Sequence, residues 1–230
     1  MRFYSRPTKT APDKPATVLL PGWATDHRIF DPVAMNGPSI LIEGPLTRSF
    51  PVQLAEYLAR EHVSAVVLFG WSLGGAAALQ FARAYPEMVD RLIVSGLRPR
   101  YPEGVLEAAR RDIVEDKNAF LSSFYRSCFL PAQRGDYAWF KRGLLTPYLK
   151  EMTATDLLTS LDYLGECAFG PADLTIRNTT ILHGAWDSVA PLGEIEEIVT
   201  TSGTGQFHVL PNAAHAPFLL PEARTLWTHG

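Results

Sequence analysis

Cysteine is scarce in this sequence. Only Cys128 and Cys167 occur in 230 residues, and neither has a metal-like or redox-like spacing, which leaves out a disulfide scaffold, a zinc module and a dithiol redox centre. An excess of one charge is lacking too. The 21 Lys and Arg face 24 Asp and Glu, a net charge of −3, so the chain as a whole has no bias toward nucleic acid or an anionic membrane surface. No run approaches the roughly 20 apolar residues that cross a bilayer. The N-terminal stretch carries basic residues but no continuous apolar core of the kind a signal peptide needs. Internal repeats, low-complexity tracts and long charge blocks are missing as well. The expectation is a cytoplasmic protein with reduced cysteines, no nucleic-acid or membrane partner, and no metal or organic cofactor.

What the chain does have is apolar content. At 47% hydrophobic residues over 230 positions, it has enough for one compact domain with a sizeable core. Short apolar runs fall at 16–20, 39–42, 65–69, 91–95, 179–183 and 206–210, each rich in Val, Ile, Leu or Phe and bounded by Gly, Pro or polar residues. Their hydrophobicity is continuous rather than alternating, the mark of strands buried on both faces in a parallel sheet. Helical patterns at 52–60, 73–85, 192–200 and 222–228 lie among them. Strands alternating with helices predict a doubly wound, mostly parallel α/β sheet. From 98 to 169 the alternation stops, and helical stretches follow one another at 106–115, 119–129, 137–149 and 155–166. The expected organisation is a core of 1–97 and 170–230 with 98–169 inserted as a helical lid over a pocket; covering one sheet edge without binding anything is the alternative.

The segment Gly70-Trp71-Ser72-Leu73-Gly74-Gly75 stands between a buried strand pattern and an Ala-rich helix pattern. It fits G-x-S-x-G, and that context gives the pattern its meaning. A serine on a sharp strand-to-helix turn is lifted above the sheet, and glycines fill the flanking positions where side chains would collide. The helix N-terminus beneath it offers free N–H groups and the positive end of the helix dipole. Ser72 is therefore the candidate nucleophile.

A serine hydroxyl needs a base. Of the six histidines, His62 ends a polar helix pattern, His229 is terminal, and His183 and His208 fall in strand patterns. His215 follows the final strand in a loop, Pro211 to Phe218, at the edge where active sites of open α/β sheets gather. It is the candidate base. The acid that orients the base belongs at another strand end, between serine and histidine in the chain. Asp187 fits, in the turn after the 179–183 run, with Gly184 for the bend; Asp156, Asp162 and Asp173 are rivals that follow no strand. An oxyanion hole needs two backbone N–H groups. Leu73 supplies one, and Trp23, in the Pro21-Gly22-Trp23-Ala24 turn, is the choice for the other, with Gly22 and Ala24 as alternatives.

The order Ser72, Asp187, His215 is that of the α/β-hydrolase fold. The Gly70–Gly75 motif, the Gly22-Trp23 turn and Ala213-Ala214-His215-Ala216-Pro217-Phe218 together resemble the pimeloyl-acyl-carrier-protein methyl ester carboxylesterases of biotin synthesis. The resemblance implies a serine esterase that removes the methyl ester from a pimeloyl chain on acyl carrier protein. By position it implies Ser72, Asp187 and His215 as the triad, Trp23 and Leu73 as oxyanion donors, and Phe124 in the helix that touches substrate. It further implies a lid that holds the carrier, for which the cations are Arg126, Arg134, Lys141, Arg142 and Lys150; a solvated helix face explains the same cations equally. A monomer is expected. The rival readings are a general short-chain carboxylesterase, a lactonase or a carbon–carbon-bond hydrolase on the same fold, and a non-catalytic receptor.

Overall fold

The computed structural model describes residues 1–6, 14–33, 35, 37–176, 178–203 and 206–223. Seven strands form one sheet in the order β1-β3-β2-β4-β5-β6-β7: β1 (Arg2–Arg6), β2 (Thr17–Leu20), β3 (Ser39–Glu43), β4 (Val66–Trp71), β5 (Val89–Ser95), β6 (Thr179–Gly184) and β7 (Gln206–Leu210). Every pairing is parallel except β1 against β3. The six apolar runs all become strands. The central β2 and β6 are buried at every residue, as continuous apolar runs require. β1 gave no signal: Arg2-Phe-Tyr-Ser-Arg6 is half polar and has one neighbour only, at the sheet edge, where burial on both faces is not demanded.

Helices α1 (Phe50–Arg60), α2 (Leu73–Ala84) and α7 (Leu192–Ser202) flank the sheet. The helix expected at 222–228 lies for the most part outside the described residues. Between β5 and β6 run α3 (Glu103–Phe129), α4 (Arg134–Phe140), a π-helical turn (Lys141–Leu145), α5 (Thr146–Glu151) and α6 (Ala154–Glu166). α3 is broken at Asp116, whose φ of −150° and ψ of 89° are not helical. The Asp116 carboxylate caps the new start by accepting from the N–H groups of Asn118 and Ala119. That break is why the sequence read as two helices here. The expected helix at 137–149 is likewise divided, by the π-helical turn. Both cysteines are free and buried, and burial pushes the Cys167 thiol up to about 12. No helix among the described residues is long and apolar enough to cross a membrane.

The site is positioned by close approach at the carboxyl ends of the strands. A Cβ on Gly74 would lie 2.1 Å from the Leu20 carbonyl oxygen, and one on Gly70 would lie 2.4 Å from the Gly74 oxygen. α2 therefore starts hard against the end of β2, and only glycine permits it. Gly74→Ala is expected to lower stability by about 1–3 kcal/mol through overpacking against backbone that has nowhere to move; urea unfolding of the two proteins measures it.

Candidate active site

Ser72 occupies the tip between β4 and α2 with φ 53° and ψ −117°. This is a left-handed conformation that a non-glycine residue holds only under the compulsion of its surroundings. The Ser72 N–H donates to the Ser95 carbonyl at 2.8 Å, which ties the turn to the end of β5. Leu73 is the first helical residue, so its N–H has no carbonyl a turn back to bond. Neither it nor the Trp23 N–H has a hydrogen-bond partner among the described residues. Two donors from separate loops thus remain available beside the serine.

Asp187 and His215 meet in the interior. The His215 Nδ1–H donates to Asp187 Oδ2 at 2.8 Å, and both side chains are essentially without solvent contact. The second carboxylate oxygen, Oδ1, accepts from the N–H groups of Val189 (2.9 Å) and Ala190 (2.8 Å). Burial pushes the Asp187 carboxyl upward, but the charge and hydrogen bond of His215, helped by His183 and the Ala190 N–H, outweigh it and leave it below the usual value. His183, dismissed from sequence as a strand residue, lies behind the pair. Its Nε2 donates to the Ala190 carbonyl at 2.8 Å and stands 3.5 Å from Asp187 Oδ2. Burial lowers its pKa and its Nδ1 has no partner, so it is a neutral imidazole with the proton on Nε2.

Three further contacts explain how His215, delivered by the loop after β7, reaches across to β6. The turn after β5 is Gly96, with φ +61°, and a Cβ there would lie 2.8 Å from the His215 carbonyl oxygen. Gly184, at the end of β6, packs so closely on the same loop that a Cβ would fall 1.9 Å from the Ala214 oxygen. Trp71, from the serine motif, donates its Nε1–H to the His215 carbonyl at 2.7 Å.

The remaining nitrogen, His215 Nε2, is buried and has no hydrogen-bond partner. Tyr101, a residue that no sequence motif singled out, lines the same cavity as Ser72, and burial pushes its phenol well above the usual range. Ser72 opens on a cavity of about 850 Å³ whose walls include Trp23, Leu106, Phe120, Phe124, Leu161 and Leu164. Phe124 meets the Trp23 ring edge-on, with centroids 5.1 Å apart. Arg98 also lines this cavity, but Glu194 holds its guanidinium through bonds of 2.6 and 2.8 Å. On the other side of Trp23 a second cavity of about 470 Å³ adjoins Leu73 and is walled by Asp26, Arg28, Glu151 and Asp156. The five cations named from sequence, Arg126, Arg134, Lys141, Arg142 and Lys150, are all exposed. No group of three or more His, Cys, Asp or Glu among the described residues is arranged to hold a metal ion.

The family model of the alpha/beta hydrolases matches residues 17–225. A pimeloyl-[acyl-carrier protein] methyl ester esterase of Aromatoleum aromaticum is 24% identical over 233 residues, covering 90% of this chain and 93% of that protein. One from Pectobacterium carotovorum is 30% identical over 179 residues, covering 69% of this chain and 67% of that protein. Among solved structures, an esterase from Exiguobacterium antarcticum superposes with a TM-score of 0.78 at 18% identity, covering 98% of this chain and 92% of that one.

The lowered carboxyl of Asp187 has a consequence for stability. A depressed carboxylate contributes stability that is present above its unfolded pKa and is lost as pH falls through the folded value. Wild type is expected to lose stability more steeply than Asp187→Asn between about pH 5 and pH 2, and urea unfolding across that range reads the difference in slope.

Proposed function

This chain belongs to the alpha/beta hydrolase family, and we propose that it is a serine carboxylesterase acting through Ser72, His215 and Asp187 on the methyl ester of a pimeloyl chain borne by acyl carrier protein. The observation that carries the reading is the dry His215–Asp187 hydrogen bond of 2.8 Å, next to a serine in a left-handed turn that opens on an apolar chamber. The names of the curated relatives support the substrate.

The reaction follows from the geometry. Asp187 holds His215 with the proton on Nδ1, which leaves Nε2 as a lone pair with no competing partner. Nε2 takes the Ser72 proton as Oγ attacks the ester carbonyl. The backbone N–H groups of Trp23 and Leu73 receive the developing oxyanion; one such donor is worth about a hundred- to a thousandfold in rate. The imidazolium then gives its proton to the departing methanol, leaving an acyl-Ser72 ester. Water attacks that ester, loses its proton to the same Nε2, and releases the carboxylic acid and free Ser72. No step calls for a metal or an organic cofactor. The aromatic and aliphatic chamber suits a methylene chain, each buried CH₂ contributing about 0.8 kcal/mol.

The helical segment acts as the lid. Between residues 117 and 150 it carries six cations, Lys117, Arg126, Arg134, Lys141, Arg142 and Lys150, against one acid, Asp136. That stretch is the docking face for an acidic carrier protein. A second reading, a carboxylesterase for free small esters, is favoured by the acids Asp112, Glu115 and Asp116 on the chamber wall, which repel an acidic carrier from that side.

Rates on pimeloyl-acyl-carrier-protein methyl ester and on free pimelate methyl ester separate the two. A strong preference for the carrier-bound ester is expected, with Ser72→Ala inactive on both; equal or better turnover of the free ester selects the second reading. Reversing charge at Arg134, Lys141 and Arg142 together is expected to raise KM for the carrier-bound ester about tenfold or more, with the free ester turned over as before.

A further inference from the structure

We infer that Gln133, on the lid and 82 positions from His215 in the chain, is a positioning residue that sets the aim of the base; the inference rests on the role proposed above for His215. Gln133 is 3% exposed and stands immediately before α4. Its Oε1 accepts the Ala214 N–H at 2.9 Å, and its Nε2 donates to the Ala216 carbonyl at 2.9 Å. One side-chain amide therefore holds the N–H of the residue before His215 and the carbonyl of the residue after it, clamping the Ala214–Ala216 run at both ends. The orientation of the amide is not arbitrary. Turned over, it would set its NH₂ against the Ala214 N–H and its oxygen against the Ala216 carbonyl, two clashes of like groups. Asp136, one turn into α4, accepts from the same Nε2 at 2.8 Å and holds the amide in place.

The two backbone groups of the base itself are also taken. The His215 N–H donates to the Cys128 carbonyl at 3.0 Å, and the His215 carbonyl accepts from Trp71. Of the four bonds that fix the backbone around His215, three come from the lid, and Gln133 supplies the pair that spans it. Cys128 and Trp71 hold the two peptide planes that meet at His215, and Gln133 holds the next plane on each side, so the run that carries the ring is anchored over its whole length. The direction of its Cα–Cβ bond, and so the aim of Nε2, is fixed with it. Asp187 fixes the rotation of the ring, while Gln133 fixes both ends of the short run from which the ring projects. Titratable neighbours of the pair are His183 on β6, Glu196 on α7, and Tyr101 and Cys128 before and on α3. None of them bonds the backbone at 214 or 216.

Gln133→Met keeps the length and volume of the side chain and removes both bonds; Gln133→Asn is too short to span them. For each variant that folds, kcat on a small chromogenic ester is expected to fall about tenfold or more, since small misplacements of a reacting group are costly, with KM within about twofold of wild type. The low-field proton resonance of the His215 Nδ1–H is expected to shift or broaden. Leu144→Ala, in the buried lid interior and away from the chamber, provides the comparison: it lowers Tm while keeping kcat and the resonance. Wild-type kcat and an unmoved resonance in the Gln133 variants, with His215→Ala inactive, overturn the inference and leave the proposed base standing. An equal loss of kcat in Leu144→Ala overturns it in favour of general lid stability. Activity retained by His215→Ala defeats the base assignment itself, a failure visible without any Gln133 variant.

Discussion

A carboxylate buried against an imidazole sets the terms that the rest of this structure meets. Taking Asp187 out of water is unfavourable unless its lone pairs are fully engaged, and three neighbours besides His215 engage them. Val189 and Ala190 turn their N–H groups back onto Oδ1, so the loop folds around the carboxylate it carries. His183 closes the circuit. It holds the Ala190 carbonyl from one side while its proton also faces Oδ2, and its own unpartnered Nδ1 is the price of that arrangement. A charged His183 would bury an unpartnered proton on Nδ1, and burial lowers its pKa accordingly.

Bringing His215 to that carboxylate requires loops from β4, β5, β6 and β7 to stack within backbone contact. Side chains are absent where they do so. Gly96 lets the His215 carbonyl rest on the end of β5, and Gly184 lets the Ala214 carbonyl rest on the end of β6. Gly22 plays the same part under Trp71, whose ring would meet a Cβ there at 2.8 Å. Trp71 then spans the gap with its ring near Gly22 and its Nε1–H on His215. The residue before the serine thus links the Trp23 turn to the His215 loop, a role that the motif G-x-S-x-G leaves unstated in its x.

Much of this was legible because it is local. The continuous apolar runs, the glycines around Ser72 and the positions of Asp187 and His215 past their strands each reflect a constraint within a few residues of chain. What was not legible is what a few residues cannot encode. β1 is an edge strand with polar residues and one neighbour. The break in α3 falls at an aspartate whose side chain caps the next turn, and it showed only as a pause in the helical pattern. His183 looked like any strand residue, since its partners lie at a turn and at the end of another loop. Gln133 and Tyr101 carry no motif at all, and their significance comes wholly from what the fold sets beside them.

The helical segment braces the Trp23 and His215 loops as well as walling the chamber. Its α6 accepts the Trp23 Nε1–H at the Leu157 carbonyl, and Tyr125 of α3 donates to the Ala24 carbonyl. Tyr148 of α5 donates to the Asp26 carboxylate, whose Arg28 partner is held in turn by Glu151. The loop offering the Trp23 N–H is therefore braced by three helices of the segment, and the loop carrying His215 by Cys128 and Gln133. Each loop has only a short 3-10 helix of its own, His27–Phe30 in one and Pro217–Leu219 in the other, and the backbone at Ala24 is left-handed, with φ of 60°. Held only from below, both would have freedom that a hydrogen-bond geometry accurate to a few tenths of an ångström does not tolerate. The same helices supply Phe120, Phe124 and Leu161 to the chamber wall. The chamber walls and the braces of the Trp23 and His215 loops thus share one packed unit, so a change in the chamber is felt at the backbone of His215.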